Sequence, residues 1–510
     1  MMQQLSKHIL TRIDANLVVL PEEQLFQLPE TVLQFGTGVL LRGLIDQYIH
    51  AANMQGDYAG RVVVVKSTDT PGADAFAQQD GLYTEYMRGI EDGIGVERFS
   101  INAAISRVLS AASEWSNILS VAANPQLEII VSNTTEAGLV YDPTDIMVSG
   151  KAPKTFPCKL LACLYHRWNT LGSTASGLVI LPTELVTQNG DVLKKMVLDL
   201  ARVHELSDAF VQWLIFQNDF CNTLVDRIVP GKLTDAEMTT ISQKLGYADD
   251  LLLVREPFGL WAIETDRLST KQRLGFANTS GNNIIVQDDI TTFRELKLRL
   301  LNGTHSFTCA LALLMGCTTV KQAMEHPGCF AFINQLMRES IANCLINNGI
   351  DQSLVAQFID AVQDRFRNPY IHHQWVSISM NYTEKMRMRN IPLIKAAVEQ
   401  TGFVPNTMVQ GFAAFLWLNM NAKESEKGVQ VVDYLEQPFE LKDQYAVVLA
   451  LGNHETIPHY LQRVLANEQL WHMNLLTIQG FASQLEDQLK ALQDQGMHAL
   501  LIQPMTKALM

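Results

Sequence analysis

Thr31-Val-Leu-Gln-Phe35 is a short apolar run that stops at Gly36-Thr-Gly38. Helical apolar spacing follows over Leu44-Ile-Asp-Gln-Tyr-Ile-His-Ala-Ala52, and then comes the β-branched run Val62-Val-Val-Val65. Both apolar runs have the length and composition of buried strands, so the segment predicts strand, glycine turn, helix, strand. In such a unit Gly36 permits the tight turn and Gly38 lets the backbone approach a pyrophosphate. The helix amino terminus supplies aligned N–H groups and the positive end of its dipole. Phe35, Gly36, Thr37 and Gly38 are therefore candidate cofactor residues. The third glycine of the usual dinucleotide fingerprint is missing: Leu41 holds its slot, and Gly43 comes two residues later. Arg42 can add a charge contact to phosphate, or it can be a solvated first-turn residue. At the end of the second strand stands Lys66-Ser-Thr-Asp69. Asp69 suits the hydroxyls of an adenosine ribose, whereas Lys66 and Ser67 suit a 2′-phosphate equally well. The residues alone leave NAD and NADP both open.

Two more strands are predicted downstream. Leu127-Glu-Ile-Ile-Val131 ends in Ser132-Asn-Thr-Thr135-Glu136-Ala-Gly138, and Gly177-Leu-Val-Ile-Leu181 ends in Pro182-Thr-Glu-Leu-Val-Thr-Gln-Asn189-Gly190. Small polar residues at strand carboxyl ends sit where open α/β sheets bind ligands, which makes Thr135 and Glu136 cofactor candidates. Asn-Gly is a turn signal; a place for Asn189 beside a reacting oxygen is the sharper alternative. From about Asp289 onward, 3.6-residue apolar spacing dominates, as in Phe332-Ile-Asn-Gln-Leu-Met and Leu354-Val-Ala-Gln-Phe-Ile. A chain of 510 residues exceeds one ordinary core. The expected fold is an α/β Rossmann-type amino-terminal domain over residues 1–285 and a mainly α-helical substrate-binding domain over residues 286–510.

Composition narrows the function classes. A net charge of -14 argues against a nucleic-acid partner. It is compatible with an anionic small substrate held by a local cluster of Lys and Arg. The seven cysteines are an odd number and include no CxxC, so reduced thiols and a cytoplasmic location are expected. The amino-terminal residues lack a leader pattern, and no apolar run is long enough to span a bilayer.

The second domain carries the reactive chemistry. Lys297-Leu-Arg-Leu-Leu-Asn302-Gly-Thr-His305 sets three polar side chains beside the apolar run Phe307–Met315. At roughly 100° per helical residue, Asn302 and His305 fall about 140° and about 80° from Lys297, so all three can share one broad face. A desolvated lysine is a plausible general base, and an amide with an imidazole can hold an alcohol or carbonyl oxygen. A surface lysine, a kink asparagine and a core histidine would give the same spacing. Lys385, Arg387 and Arg389 lie at two-residue spacing, as in a clamp for a carboxylate or phosphate. The pair His372-His373 precedes them and can bind an anion, a metal or nothing. His454-Glu-Thr-Ile-Pro-His459 misses the HExxH zinc motif by one residue and contains a proline, so its imidazoles would not share a helix face.

Taken together, five blocks resemble the long-chain polyol-specific dehydrogenases and reductases, which include mannitol dehydrogenase. They are Gly36-Thr-Gly38 with Arg42; Thr135-Glu136-Ala-Gly138; Asn222-Thr-Leu-Val225-Asp226-Arg227-Ile-Val-Pro230; Glu256-Pro257-Phe258 with Trp261 and Glu264; and Lys297 with Asn302 and His305. The resemblance implies NAD as cofactor and no metal. It implies Lys297 as general base in alcohol oxidation and general acid in carbonyl reduction, with Asn302 and His305 polarising the substrate oxygen. Lys385 matches a substrate-binding lysine of the family. Two positions depart from mannitol-type members: Ser377 stands where they carry arginine, and Glu184-Leu185-Val186 stands where they carry Asp-Asn-Leu. Asn368-Pro369-Tyr370, His372-His373 and the Lys385, Arg387, Arg389 run resemble a branch acting on sugar acids, for which extra cations make physical sense. The substrate-binding candidates are Asn189, Lys385, Arg387 and Arg389.

Overall fold

The computed structural model describes residues 2–67, 74–134, 138–172, 175–231, 233–425, 428–432, 438–452 and 454–500. The chain divides into two compact units. One comprises Met1–Arg88 and Gly95–Ile290; the other comprises Thr291–Met510 together with the hairpin tip Gly89–Ile94.

The first unit is built on a six-stranded sheet: β1 (Glu30–Phe35), β2 (Arg61–Lys66), β3 (Ile105–Ser110), β4 (Ile129–Ser132), β5 (Val179–Pro182) and β6 (Asp219–Phe220). Its order is β3-β2-β1-β4-β5-β6 and every pairing is parallel. This is the dinucleotide-binding order, with the crevice where β1 and β4 diverge. Phe35 pairs with both Val65 and Ser132, so β1, β2 and β4 end level at that crevice. The valine run is continuous because both faces of the sheet are covered. Val63 and Val65 join Leu33, Phe35 and Ile130 in one core, while Val62 and Val64 join Val32, Ile129 and Val131 in the other.

The strand expectations cover β1, β2, β4 and β5. The structure adds two smaller sheets that long apolar runs do not announce. Tyr83–Glu91 and Ile94–Asn102 belong to a four-stranded sheet with Val18–Val19 and Leu253–Arg255. The first two are joined at Asp92-Gly93, whose φ angles of 52° and 75° are those of a tight two-residue hairpin turn. Asn222–Asp226, Leu260–Glu264 and Ile284–Gln287 form a three-stranded sheet.

The second unit is mainly helical. At its centre α2 (Thr304–Leu314) is buried along its whole length; its second half, Cys309–Leu314, is wholly apolar. A Cβ at Gly411 would meet the Phe307 backbone oxygen at 2.8 Å, so only glycine lets α4 (Asn406–Met420) approach α2 this closely. Around them lie α3 (Gln352–Arg367) and α5 (Phe481–Gln495). A small antiparallel sheet of Lys423–Ser425, Gly428–Val432 and Pro438–Leu441 also belongs to this unit. All seven cysteines are buried thiols; the Sγ atoms of Cys317 and Cys329 lie 4.0 Å apart.

Candidate active site

The glycine turn of the first unit has the form its sequence predicts. Phe35 is the buried last residue of β1, its ring 5.1 Å from that of Phe156. Gly36 has φ +127°, and its N–H donates to the Val65 carbonyl at 3.0 Å. A Cβ there would meet Leu41 Cδ1 at 3.0 Å and the Asn133 oxygen at 3.1 Å. Leu41, in the slot of the missing third glycine, thus packs into the space that Gly36 leaves. Gly38 is exposed, and a Cβ on it would meet nothing within 4 Å. The turn therefore has room for a dinucleotide's phosphates beside Thr37 and Gly38 at the start of the helix. That helix opens with a π-helical turn, Leu41–Ile45, and continues as α1 (Asp46–Gln55).

Arg42 does not join the phosphate site. Its guanidinium is buried, donates to the Leu251 carbonyl at 2.6 Å and packs over the Phe76 and Tyr83 rings. Asp69, Thr135 and Glu136 lie outside the described residues. Lys66 pairs with Asp74 at 2.6 Å. Asn189 is not a turn residue but the first residue of a helix, Asn189–Val203. Its amide nitrogen donates to the carbonyls of Pro182, Glu184 and Thr223, and its oxygen accepts from the Gly190 and Thr223 amides. It ties β5 to the three-stranded sheet and has no polar atom left for a substrate. Glu184 is buried at the ends of β4 and β5, accepting from Ser132 Oγ at 3.2 Å and from the Thr134 amide and hydroxyl at 2.9 Å. Its neighbour Leu185 is 70% exposed.

The Val-Asp-Arg-Ile block proves to be structural. Arg227 donates to the carbonyls of Gly43 and Phe258 and to Gln47 Oε1, each at 2.7 Å. It also lies over the Tyr48 ring, and burial brings its pKa down to about 10. Glu256 accepts from the Ile228 amide at 2.5 Å, and Asn222 donates to Glu264 at 2.9 Å. Arg227 thereby braces the helix that follows the glycine turn.

In the second unit, Lys297 and Asn302 lie in a π-helical segment, Leu296–Gly303, that runs directly into α2. Its backbone bonding is i→i+5, so Asn302 comes roughly over Lys297, closer than an α-helical wheel puts it. A second π segment, Met386–Asn390, packs against the first. The widened turns leave carbonyls that each segment satisfies for the other. Arg299 donates to the Met388 and Arg389 carbonyls at 3.0 and 2.9 Å; Asn390 donates to the Gly303 carbonyl at 3.0 Å. Arg389 reaches Ser306 Oγ at 3.2 Å and the Asn302 carbonyl at 3.5 Å. Three of the four π segments among the described residues contain candidate site residues.

His305 is buried at the start of α2. Its ring stacks on Phe366 at 4.4 Å and meets the edges of His373 at 5.0 Å and Trp375 at 6.0 Å. Burial drives its pKa well below the ordinary imidazole value; His373, Arg389, Arg365 and Lys385 push the same way. The ring is therefore neutral, and Nε2 has no protein partner. Lys385 donates to the Ile378 carbonyl at 2.8 Å, and burial lowers its pKa too, helped by Arg389. Arg387 points elsewhere. It donates to the Leu470 carbonyl at 3.1 Å and faces Glu384 at 3.8 Å, because a step of two helical positions from Lys385 and from Arg389 turns it to another face. The second unit thus sets Lys385 and Arg389 around His305, with Arg389 also reaching the backbone of Asn302, and leaves out Arg387. His373 joins this group by ring contact and Arg365 by its charge; the His372-His373 doublet is the local sequence signal for the first, and Arg365 has none. Among the described residues no three His, Cys, Asp or Glu are grouped to hold a metal ion, and no helix is long and apolar enough to cross a membrane.

The family model for the mannitol dehydrogenase Rossmann domain matches residues 30–274, and that for the mannitol dehydrogenase C-terminal domain matches residues 289–493. An altronate oxidoreductase of Bacillus subtilis is 36% identical over 94% of this chain and 95% of its own. One of Shigella flexneri is 34% identical over 92% and 96%. Among solved structures, a D-sorbitol dehydrogenase in substrate-free form superposes with a TM-score of 0.76 at 18% identity, covering 98% of this chain and 100% of its own. A mannitol 2-dehydrogenase of Pseudomonas fluorescens superposes at 0.65 with 23% identity, covering 98% of each chain. With both domain models matched and relatives above 30% identity along nearly all its length, the chain belongs to the mannitol dehydrogenase family.

Proposed function

We propose that this protein is an NAD-dependent oxidoreductase interconverting D-altronate and D-tagaturonate. The observation that carries the reading is the buried His305, stacked on Phe366 beside the His373 ring and held neutral by burial and by the charges of Arg389, Arg365 and Lys385, a setting that suits a polyhydroxy substrate bearing negative charge. The altronate oxidoreductase name of the near-full-length relatives supports it. Gly36, Thr37 and Gly38 would hold the dinucleotide phosphates, with the following helix directing its amino end to them. When bound, NAD supplies the hydride acceptor for a secondary alcohol carbon, and its reduced form supplies the donor for the ketone.

The chain's own residues handle the proton and the oxygen. Lys297 takes the hydroxyl proton as the carbonyl forms, and returns it in reduction. The Asn302 amide donates to the same oxygen. His305, held neutral, donates one hydrogen bond to it without competing for the proton. Phe366 and Trp375 keep that imidazole dry and in one orientation. The test is a panel of altronate, mannonate, mannitol and mannitol 1-phosphate with NAD, followed by NADH absorbance. Altronate is expected to have the highest kcat/KM; preference for a neutral polyol or for the phosphate would refute the assignment.

Arg299 sets the geometry without touching substrate. Losing its bonds to Met388 and Arg389 loosens the π pairing that presents Lys297 and Asn302. Arg299→Ala is expected to lower kcat by roughly tenfold or more, with a smaller change in KM, as a displaced catalytic group does. Steady-state kinetics on the variant separates the two parameters.

A further inference from the structure

Beside His305 stands an imidazole, His373, that the mechanism above does not use. We infer that His373 binds the substrate carboxylate and is the residue by which this site tells a sugar acid from a neutral polyol. The inference rests on the sugar-acid reading of the site.

Three observations carry it. The first is placement. The His373 carbonyl accepts from the Val320 amide at 2.9 Å, and its neighbours are anchored as firmly. Gln374 bridges Thr319, the Trp375 amide donates to the Thr318 carbonyl at 3.1 Å, and the Trp375 indole donates to the Thr319 carbonyl at 3.0 Å. The short stretch carrying His373 is thus clamped to residues 318–320, and its imidazole is aimed by backbone rather than by a loose loop. The second is proximity. The His373 ring stands edge-on to His305, 5.0 Å between centroids and 76° between planes, one substrate's reach from the oxygen-binding group. His372, the adjacent imidazole, is exposed.

The third is charge. Arg365 from α3 and Lys385 from the helix before the second π segment both act on His373, and with Arg389 they act on His305. Asp443 acts on Lys385, and its Oδ2 accepts from the Thr383 amide and hydroxyl at 2.6 and 2.7 Å. Burial and those cations keep His373 uncharged. A carboxylate accepts hydrogen bonds and cannot give them, so a neutral N–H inside a positive field is a suitable partner for it. The same cations that disfavour a proton on His373 favour an anion in front of it.

The experiment uses the full-length chain with NAD and compares D-altronate with a neutral hexitol such as D-altritol. His373→Leu is expected to raise KM for altronate about tenfold or more, the cost of one hydrogen bond to a charged group, with kcat retained to within a few fold. His373→Asp is expected to raise it further. His373→Gln, which keeps a donor, should recover part of the loss, and the hexitol's KM should not rise in any of the three. Thermal melting and NADH binding establish that each variant is folded. Unchanged altronate KM in both the Leu and Asp variants, or an equal loss with hexitol, would overturn the inference. A wild-type chain that turns over no sugar acid would instead strike down the functional reading, and this inference with it.

Discussion

Lys297→Ala is expected to lower kcat for altronate oxidation by roughly 10²–10⁴-fold, the range for losing a positioned acid–base group. NAD binding should be untouched, since the glycine turn belongs to the other unit. The pH dependence gives a second readout with opposite signs in the two directions. Oxidation needs the amine unprotonated, so kcat/KM rises with pH through the lysine's ionisation. Reduction needs the ammonium, so its rate falls over the same interval. The alanine variant should lose that limb in both directions. His305 should add no limb near the ordinary imidazole pKa, because burial and the surrounding cations hold it neutral well below that value. Near-wild-type turnover in Lys297→Ala would end the lysine mechanism.

The largest expected loss of stability comes from Arg227→Met. The substitution keeps bulk but removes the donors to the Gly43 and Phe258 carbonyls and to Gln47. Leaving such buried acceptors unpaired should cost about 2–4 kcal/mol. Two compact units make a single unfolding free energy ill-defined, so hydrogen exchange is the better measure. Protection should fall in Leu41–Gln55, the segment that Arg227 braces, and stay unchanged in α2. Arg227→Lys should rescue little, because a lysine has one charged nitrogen where the guanidinium spans three acceptors. Loss of activity should follow from weaker NAD binding, with the pH limb of Lys297 still present. Equal protection in variant and wild type would show that the block does not brace the helix.

The first unit was legible where its signals are local. A strand buried on both faces must be apolar throughout, and a turn that passes at φ +127° must be glycine, so β1, Gly36 and β2 are plain in the chain itself. The small sheets were harder, since Tyr83–Glu91 and Ile94–Asn102 mix polar with apolar residues and carry no long apolar run. The Asp92-Gly93 turn that joins them is the local signal by which they could have been found. Arg42 and Asn189 could not be assigned from position. Each has polar atoms that fit a ligand equally well, and the partners they take, Leu251 and Thr223, come from distant parts of the chain.

By itself the sequence determined the order of strand, turn and helix and the resemblance to the family, and it offered Lys297, Asn302 and His305 as candidates. These follow from residue type and spacing, which act over a few residues. The tertiary structure decided which side chains meet. It wound Leu296–Gly303 as a π turn and so brought Asn302 over Lys297, with Asn390 donating to the Gly303 carbonyl and Arg299 to those of Met388 and Arg389. It turned Arg387 away and brought His373 and Arg365 toward His305. Such choices depend on burial and on hydrogen bonds between segments far apart in sequence, which no local pattern encodes.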